Sequence, residues 1–86
     1  MLKYDKLKMV DDLKQMRLDA GLSQKALGEQ IGISRETVLA IEKKHAGAIK
    51  SLEMDVVKLW FRTCKNKANT PLLARFKRGI TAFFGV

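Results

Sequence analysis

Between Ser23 and Lys43 the chain holds two short runs with apolar residues at helical spacing, each opened by a serine and separated only by Gly32, Ile33 and Ser34. That arrangement leaves little conformational freedom. A serine hydroxyl ahead of a helical run accepts a hydrogen bond from a free amide of the first turn, so Ser23 predicts a helix over Gln24–Ile31 and Ser34 predicts another from Arg35 to about Lys44. Gly32 ends the first of these, because glycine adopts positive φ without a Cβ penalty. Leu27, Ile31, Ile33, Val38 and Ile41 must then share one core at a steep helix crossing. Gly28 is expected to allow close approach of the following helix, although it gives up about 1 kcal/mol of helix propensity relative to alanine.

The flanking segments are also helical in pattern. Roughly from Tyr4 to Ala20, residues Met9, Leu13, Met16 and Ala20 recur on one side with Leu7 and Val10 alongside, and Gly21 stops the run. In the third helix Val38, Ile41 and His45 fall on one side. Residues 44–50, KHAGAIK, read as a loop, after which Ser51 is expected to cap a helix bearing the stripe Leu52, Val56, Leu59 and Trp60. The basic stretch 62–69 reads as a linker or frayed end. Thr70 and Pro71 then suit the start of a final helix, with Leu72, Leu73, Phe76, Ile80, Phe83 and Phe84 along one side. The expectation is an all-α fold of five helices, divided into 1–69 as the main domain and 70–86 as an amphipathic C-terminal helix that dimerises or caps the core. A chain of 86 residues builds only a small core, so oligomerisation is a natural source of extra stability.

Charge narrows the choice of partner. The net charge is +8, yet residues 1–42 are neutral overall, with seven basic and seven acidic side chains, and no acidic residue follows Asp55. A basic half of this kind favours a polyanion. One cysteine, Cys64, and one histidine, His45, leave no internal disulfide and no ordinary zinc ligand set. No nucleophile, base and orienting group can be nominated together, so enzymatic function is not expected, and no cofactor is implied. The N-terminus carries a charge every few residues and has neither a signal peptide nor a membrane-spanning pattern, which points to a cytosolic protein of bacterial or viral type.

Two short helices joined by a tight glycine turn, with the net charge confined to one half, suggest a helix-turn-helix reader of DNA. The stretch LKQMRLDAGLSQKALGEQIGISRETVLAIEK resembles the first three helices of the lambda-repressor-like family, the phage repressors, Cro and Xre-type proteins and their bacterial relatives. The resemblance includes the Gly21–Gln24 run GLSQ and the Ile41-Glu42 close, and covers roughly Lys8 to Phe61. It implies a structural ion pair between Arg17 and Glu42. It also implies that Gln24 ties the motif to a phosphate and braces the third helix. The chain departs from the family at Gly28, where alanine is preferred, and at Ala46–Lys50, which lacks the common Gly-then-Pro pattern.

A recognition helix turns its N-terminal side chains to base edges in the major groove. On that footing Arg35, Glu36, Thr37, Leu39 and Ala40 are the expected base contacts: Arg35 to guanine O6 and N7, Glu36 to cytosine N4, Thr37 and Ala40 to a thymine methyl. Gln24, Ser34, Lys43, Lys44 and Lys50 are the expected phosphate contacts, carrying affinity rather than sequence information. Leu72, Phe76, Ile80, Phe83 and Phe84 are expected to form a homodimer surface, since phage-type repressors bind two-fold half-sites. The resulting expectation is a dimeric repressor of a phage, plasmid or other mobile element acting at an inverted-repeat operator on double-stranded DNA. The alternatives are an antitoxin-like regulator that holds a protein toxin through its C-terminal helix, and a protein-interaction or membrane-surface adaptor that does not touch DNA.

Overall fold

The computed structural model describes residues 5–65 and 76–79. Five helices follow in order: α1 (Lys6–Asp19), α2 (Gln24–Ile31), α3 (Arg35–Glu42), α4 (Ala46–Lys50) and α5 (Met54–Cys64), with a further helical turn over 76–79. No strand occurs among the described residues. α2 packs against α3 and α5, while α1 packs against α5 and α3.

The helix ends follow from local chemistry. Ser23 Oγ accepts from the Ala26 amide at 2.9 Å and Ser34 Oγ from the Thr37 amide at 3.1 Å, each relieving a first-turn donor that has no partner within its helix. Asp5 does the same for α1 by accepting from the Lys8 amide, a cap the sequence reading passed over. Gly32 leaves α2 at φ +80°. A Cβ built on Gly28 would stand 2.6 Å from the Ile33 carbonyl oxygen, so the turn closes against α2 at a distance only glycine accommodates. The contact expected for the third helix is thus made by the turn that leads into it.

α3 ends one or two residues earlier than expected. Lys44 takes φ +59°, and the amides of Lys44 and His45 donate back to the carbonyls of Ile41 and Ala40, a Schellman-type closure with lysine where glycine is usual. The left-handed residue turns the chain aside, so His45 is exposed and does not continue the Val38/Ile41 side. Residues 46–50 are not a loop but the short helix α4. Ser51 closes α4, with its hydroxyl donating to the Gly47 carbonyl, rather than opening the next helix. Glu53 takes the cap position of α5 without a side-chain bond.

Met9, Leu13 and Met16 of α1, Leu27 and Ile31 of α2, and Val38 and Ile41 of α3 meet in a single core. Of the expected stripe Leu52 and Trp60 are buried, but Leu59 is 40% exposed and Val56 only half-buried, and Val57 and Cys64 take their place in the core. Several apolar residues crowd 56–61, and packing on α1 and α2 puts Val57 rather than Val56 or Leu59 beside Trp60 on the buried side. The expected linker begins late, because 62–64 continue α5 and Cys64 is fully buried. Burial pushes the Cys64 thiol up from 9.0 to about 11, with the Arg17 charge drawing it partly back.

Phe76 is only 3% exposed and stacks on Phe61 of the same chain, ring centroids 5.4 Å apart. This corrects its assignment to a dimer surface: here it covers the core. Leu72, Ile80, Phe83 and Phe84, and the boundary expected at residue 69, lie outside the described residues.

Candidate nucleic-acid interface

α3 divides cleanly between core and solvent. Val38, Ile41 and Glu42 are buried, Arg35, Glu36 and Thr37 are exposed on the first turn, and Leu39 and Ala40 are half-buried beyond them. The exposed residues therefore gather at the N-terminal end, where a recognition helix meets base edges. Arg35 offers a planar fork of donors and Glu36 a carboxylate acceptor, while Leu39 and Ala40 add apolar surface. Glu36 also places its charge favourably at the positive end of the helix dipole.

The inner side of α3 is anchored by Glu42. Arg17 Nε donates to Glu42 Oε2 at 2.6 Å and Arg17 Nη2 to Oε1 at 2.9 Å, a bidentate pair linking α1 to α3. The third guanidinium donor, Nη1, reaches the Leu22 carbonyl at 2.8 Å, in the turn before α2. Gln24 completes the network by donating from Nε2 to Glu42 Oε1 at 3.1 Å. One carboxylate thus ties α1, the start of α2 and the end of α3 together, with both charges matched by charge-assisted hydrogen bonds. Gln24 is half-buried with one N–H of its amide given to Glu42, which braces α3 and leaves the second N–H outside that bond.

Around this anchor lie the basic residues. Lys43 and Lys50 are exposed, whereas Lys44 Nζ is engaged by Asp11 Oδ1 of α1 at 2.7 Å. The expected phosphate contact at Lys44 therefore competes with an ion pair already present, a partner no local pattern could reveal because the two residues are far apart in sequence. At the other end of α3, Ser34 Oγ and Thr37 Oγ1 lie 2.8 Å apart, so the cap and an expected base contact form one hydroxyl pair. That pairing had a signal: a serine cap three residues ahead of a threonine places both hydroxyls over the same turn.

No helix among the described residues is long and apolar enough to cross a membrane. No solved structure matches the chain significantly. A protein of Bacillus subtilis named as an uncharacterized helix-turn-helix-type transcriptional regulator, YgzD, is 49% identical over 35 residues, 41% of this chain. The match covers 53% of that protein, so the chain corresponds to about half of its length. Residues 13–54 match the helix-turn-helix family, a span that contains the Arg17–Glu42 anchor, the Gly32 turn and all of α3. The anchored α3, its exposed first turn and this match agree, and residues 13–54 are a helix-turn-helix domain of the lambda-repressor-like kind.

Proposed function

We propose that the chain is a sequence-specific DNA-binding transcriptional regulator that lays α3 in the major groove. The observation that carries this reading is the partition of α3: its inner side is consumed by the core and the Glu42 anchor, while Arg35, Glu36 and Thr37 stand exposed on its first turn. A rigidly seated helix with polar side chains exposed at its N-terminal end suits base readout. Arg35 reads guanine, Glu36 accepts from cytosine N4, and Ala40 and Leu39 meet thymine methyls. Ser34, Lys43, Lys50 and the Gln24 side chain contact phosphates and fix register.

The regulator works as a homodimer on an inverted repeat, with Leu72, Ile80, Phe83 and Phe84 as its pairing surface, and acts as a repressor of a phage, plasmid or other mobile element in a bacterial cytosol. The resemblance to phage repressors and the net charge of +8 support that part of the reading. Selection of bound sites from a random-duplex library at about 150 mM salt, near physiological ionic strength, tests it. The expected result is an enriched inverted repeat with half-sites about one helical turn apart. Retention of duplexes without enrichment would leave a basic surface and nothing more.

A further inference from the structure

The first turn of α3 carries two hydroxyls whose positions are coupled. Ser34 Oγ accepts from the Thr37 amide at 3.1 Å and sits 2.8 Å from Thr37 Oγ1. With one lone pair of Ser34 Oγ taken by the amide, the arrangement that leaves the Ser34 proton free is donation from the Thr37 hydroxyl to Ser34. In that arrangement, one of the two the contact admits, the Ser34 O–H is left as a donor for a ligand, polarised by the bond it receives. Thr37, meanwhile, has its oxygen turned back toward the cap. The substituents on its tetrahedral Cβ diverge, so an exposed Thr37 with Oγ1 held by Ser34 presents its γ-methyl in another direction.

We infer that this pair divides its work. The Thr37 hydroxyl positions the Ser34 O–H to donate to a phosphate, and the Thr37 methyl makes an apolar contact with the 5-methyl group of a thymine. Thr37 is thereby a specificity-determining residue through its methyl and a positioning residue through its oxygen. The inference rests on the proposed DNA reading and sharpens it, because it names the chemical group read at one position and the atom that reads it. The half-buried Ala40, three residues on and on the neighbouring side of the helix, extends the apolar surface available to thymine.

Two substitutions separate the two roles. Thr37→Val keeps a methyl at the branch and removes the hydroxyl, whereas Thr37→Ser keeps the hydroxyl and removes the methyl. Both leave the Ser34 cap on the Thr37 amide intact, and circular dichroism of each variant verifies the fold. The probe is the duplex enriched by the full chain, resynthesised with each thymine in turn replaced by deoxyuridine, which lacks only the 5-methyl. At one thymine per half-site the parent protein should lose about fourfold in affinity on that replacement, the value of one buried methyl-sized group.

Thr37→Val should keep that preference for thymine while binding every duplex more weakly by a common factor. Thr37→Ser should bind thymine and deoxyuridine equally at that one position and discriminate as before elsewhere. Parent-like discrimination by Thr37→Ser at every thymine, or its loss in Thr37→Val, would overturn the inference while leaving the DNA reading in place. Failure to enrich any duplex would overturn both, and so the two failures are distinct.

Discussion

The indole N–H of Trp60 donates to the Leu13 main-chain oxygen at 2.8 Å, joining α5 to α1 in the interior. Trp60 is fully buried, so its N–H has no access to water and needs this partner. Trp60→Phe removes the donor and leaves a gap where the second ring stood. A loss of about 1 to 3 kcal/mol is expected from the two effects together. Urea unfolding checks it, and a midpoint equal to the parent's would show that the bond contributes nothing net.

The Arg17–Glu42 pair should behave as a buried pair rather than a surface one, with side-chain exposures of 9% and 2%. Arg17→Met leaves the Glu42 carboxylate with the Gln24 amide as its partner and strips the Leu22 carbonyl of the Arg17 donor. About 3 to 5 kcal/mol should be lost. Adding Glu42→Leu to that variant removes the stranded charge, and the double variant is expected to be more stable than Arg17→Met alone. Thermal melts of the single and double variants compare the two directly.

At Gly28 two opposing effects can be weighed. Alanine gains about 1 kcal/mol of helix propensity. Its Cβ, however, meets the Ile33 carbonyl oxygen at 2.6 Å, and that oxygen belongs to backbone held in place as Gly32 and Ile33 donate to the Gly28 carbonyl. A rigid neighbour cannot yield cheaply, so Gly28→Ala should destabilise by about 1 to 3 kcal/mol net. A stabilised variant in chemical denaturation would mean that the turn moves to admit the methyl.

Much of this is legible in the sequence, because it is local. Ser23, Ser34 and Gly32 act within one turn of their own position, and the exposed first turn of α3 follows from the phase of Val38 and Ile41. α4 is not legible in the sequence because AGAIK is too short to show a period. The spacing places Leu52 and Trp60 correctly but not Val56 and Leu59, because Val56, Val57, Leu59, Trp60 and Phe61 support two overlapping stripes and only contact with α1 and α2 decides between them. The Asp11–Lys44 and Phe61–Phe76 contacts depend on the tertiary arrangement alone.

Cys64 predicts an alkaline weakness. Its thiol is held neutral by burial, with the folded value raised to about 11 from an ordinary 9.0. For an acid raised in this way, stability is fully present below about pH 9, since both folded and unfolded forms keep the proton. Between about 9 and 11 the unfolded chain ionises first, and stability falls as pH rises. Cys64→Ala should flatten that part of the pH profile relative to the parent, even though it loses some packing at neutral pH. Stability profiles of the two proteins that stay parallel from pH 8 to 11 would refute the assignment. A thiol reagent at pH 8 should label Cys64 only as fast as the domain opens.

Asp11 restrains a cation at the edge of the candidate interface. Lys44 Nζ sits 2.7 Å from Asp11 Oδ1, and the two side chains are 36% and 61% exposed, so solvent screening limits the pair to about 1 kcal/mol of stability. Its effect on binding should be larger, because a phosphate that engages Lys44 must first displace the carboxylate and then bind beside it. Asp11→Asn removes both penalties. Affinity for an arbitrary duplex should rise, and the slope of log affinity against log salt should steepen by up to about 0.9, the value of one added phosphate contact. The same change made on a Lys44→Gln background separates the two contributions. If Asp11 acts through Lys44, Asp11→Asn has little further effect there. An equal gain on both backgrounds would instead make Asp11 a direct source of repulsion toward DNA, independent of the lysine it holds.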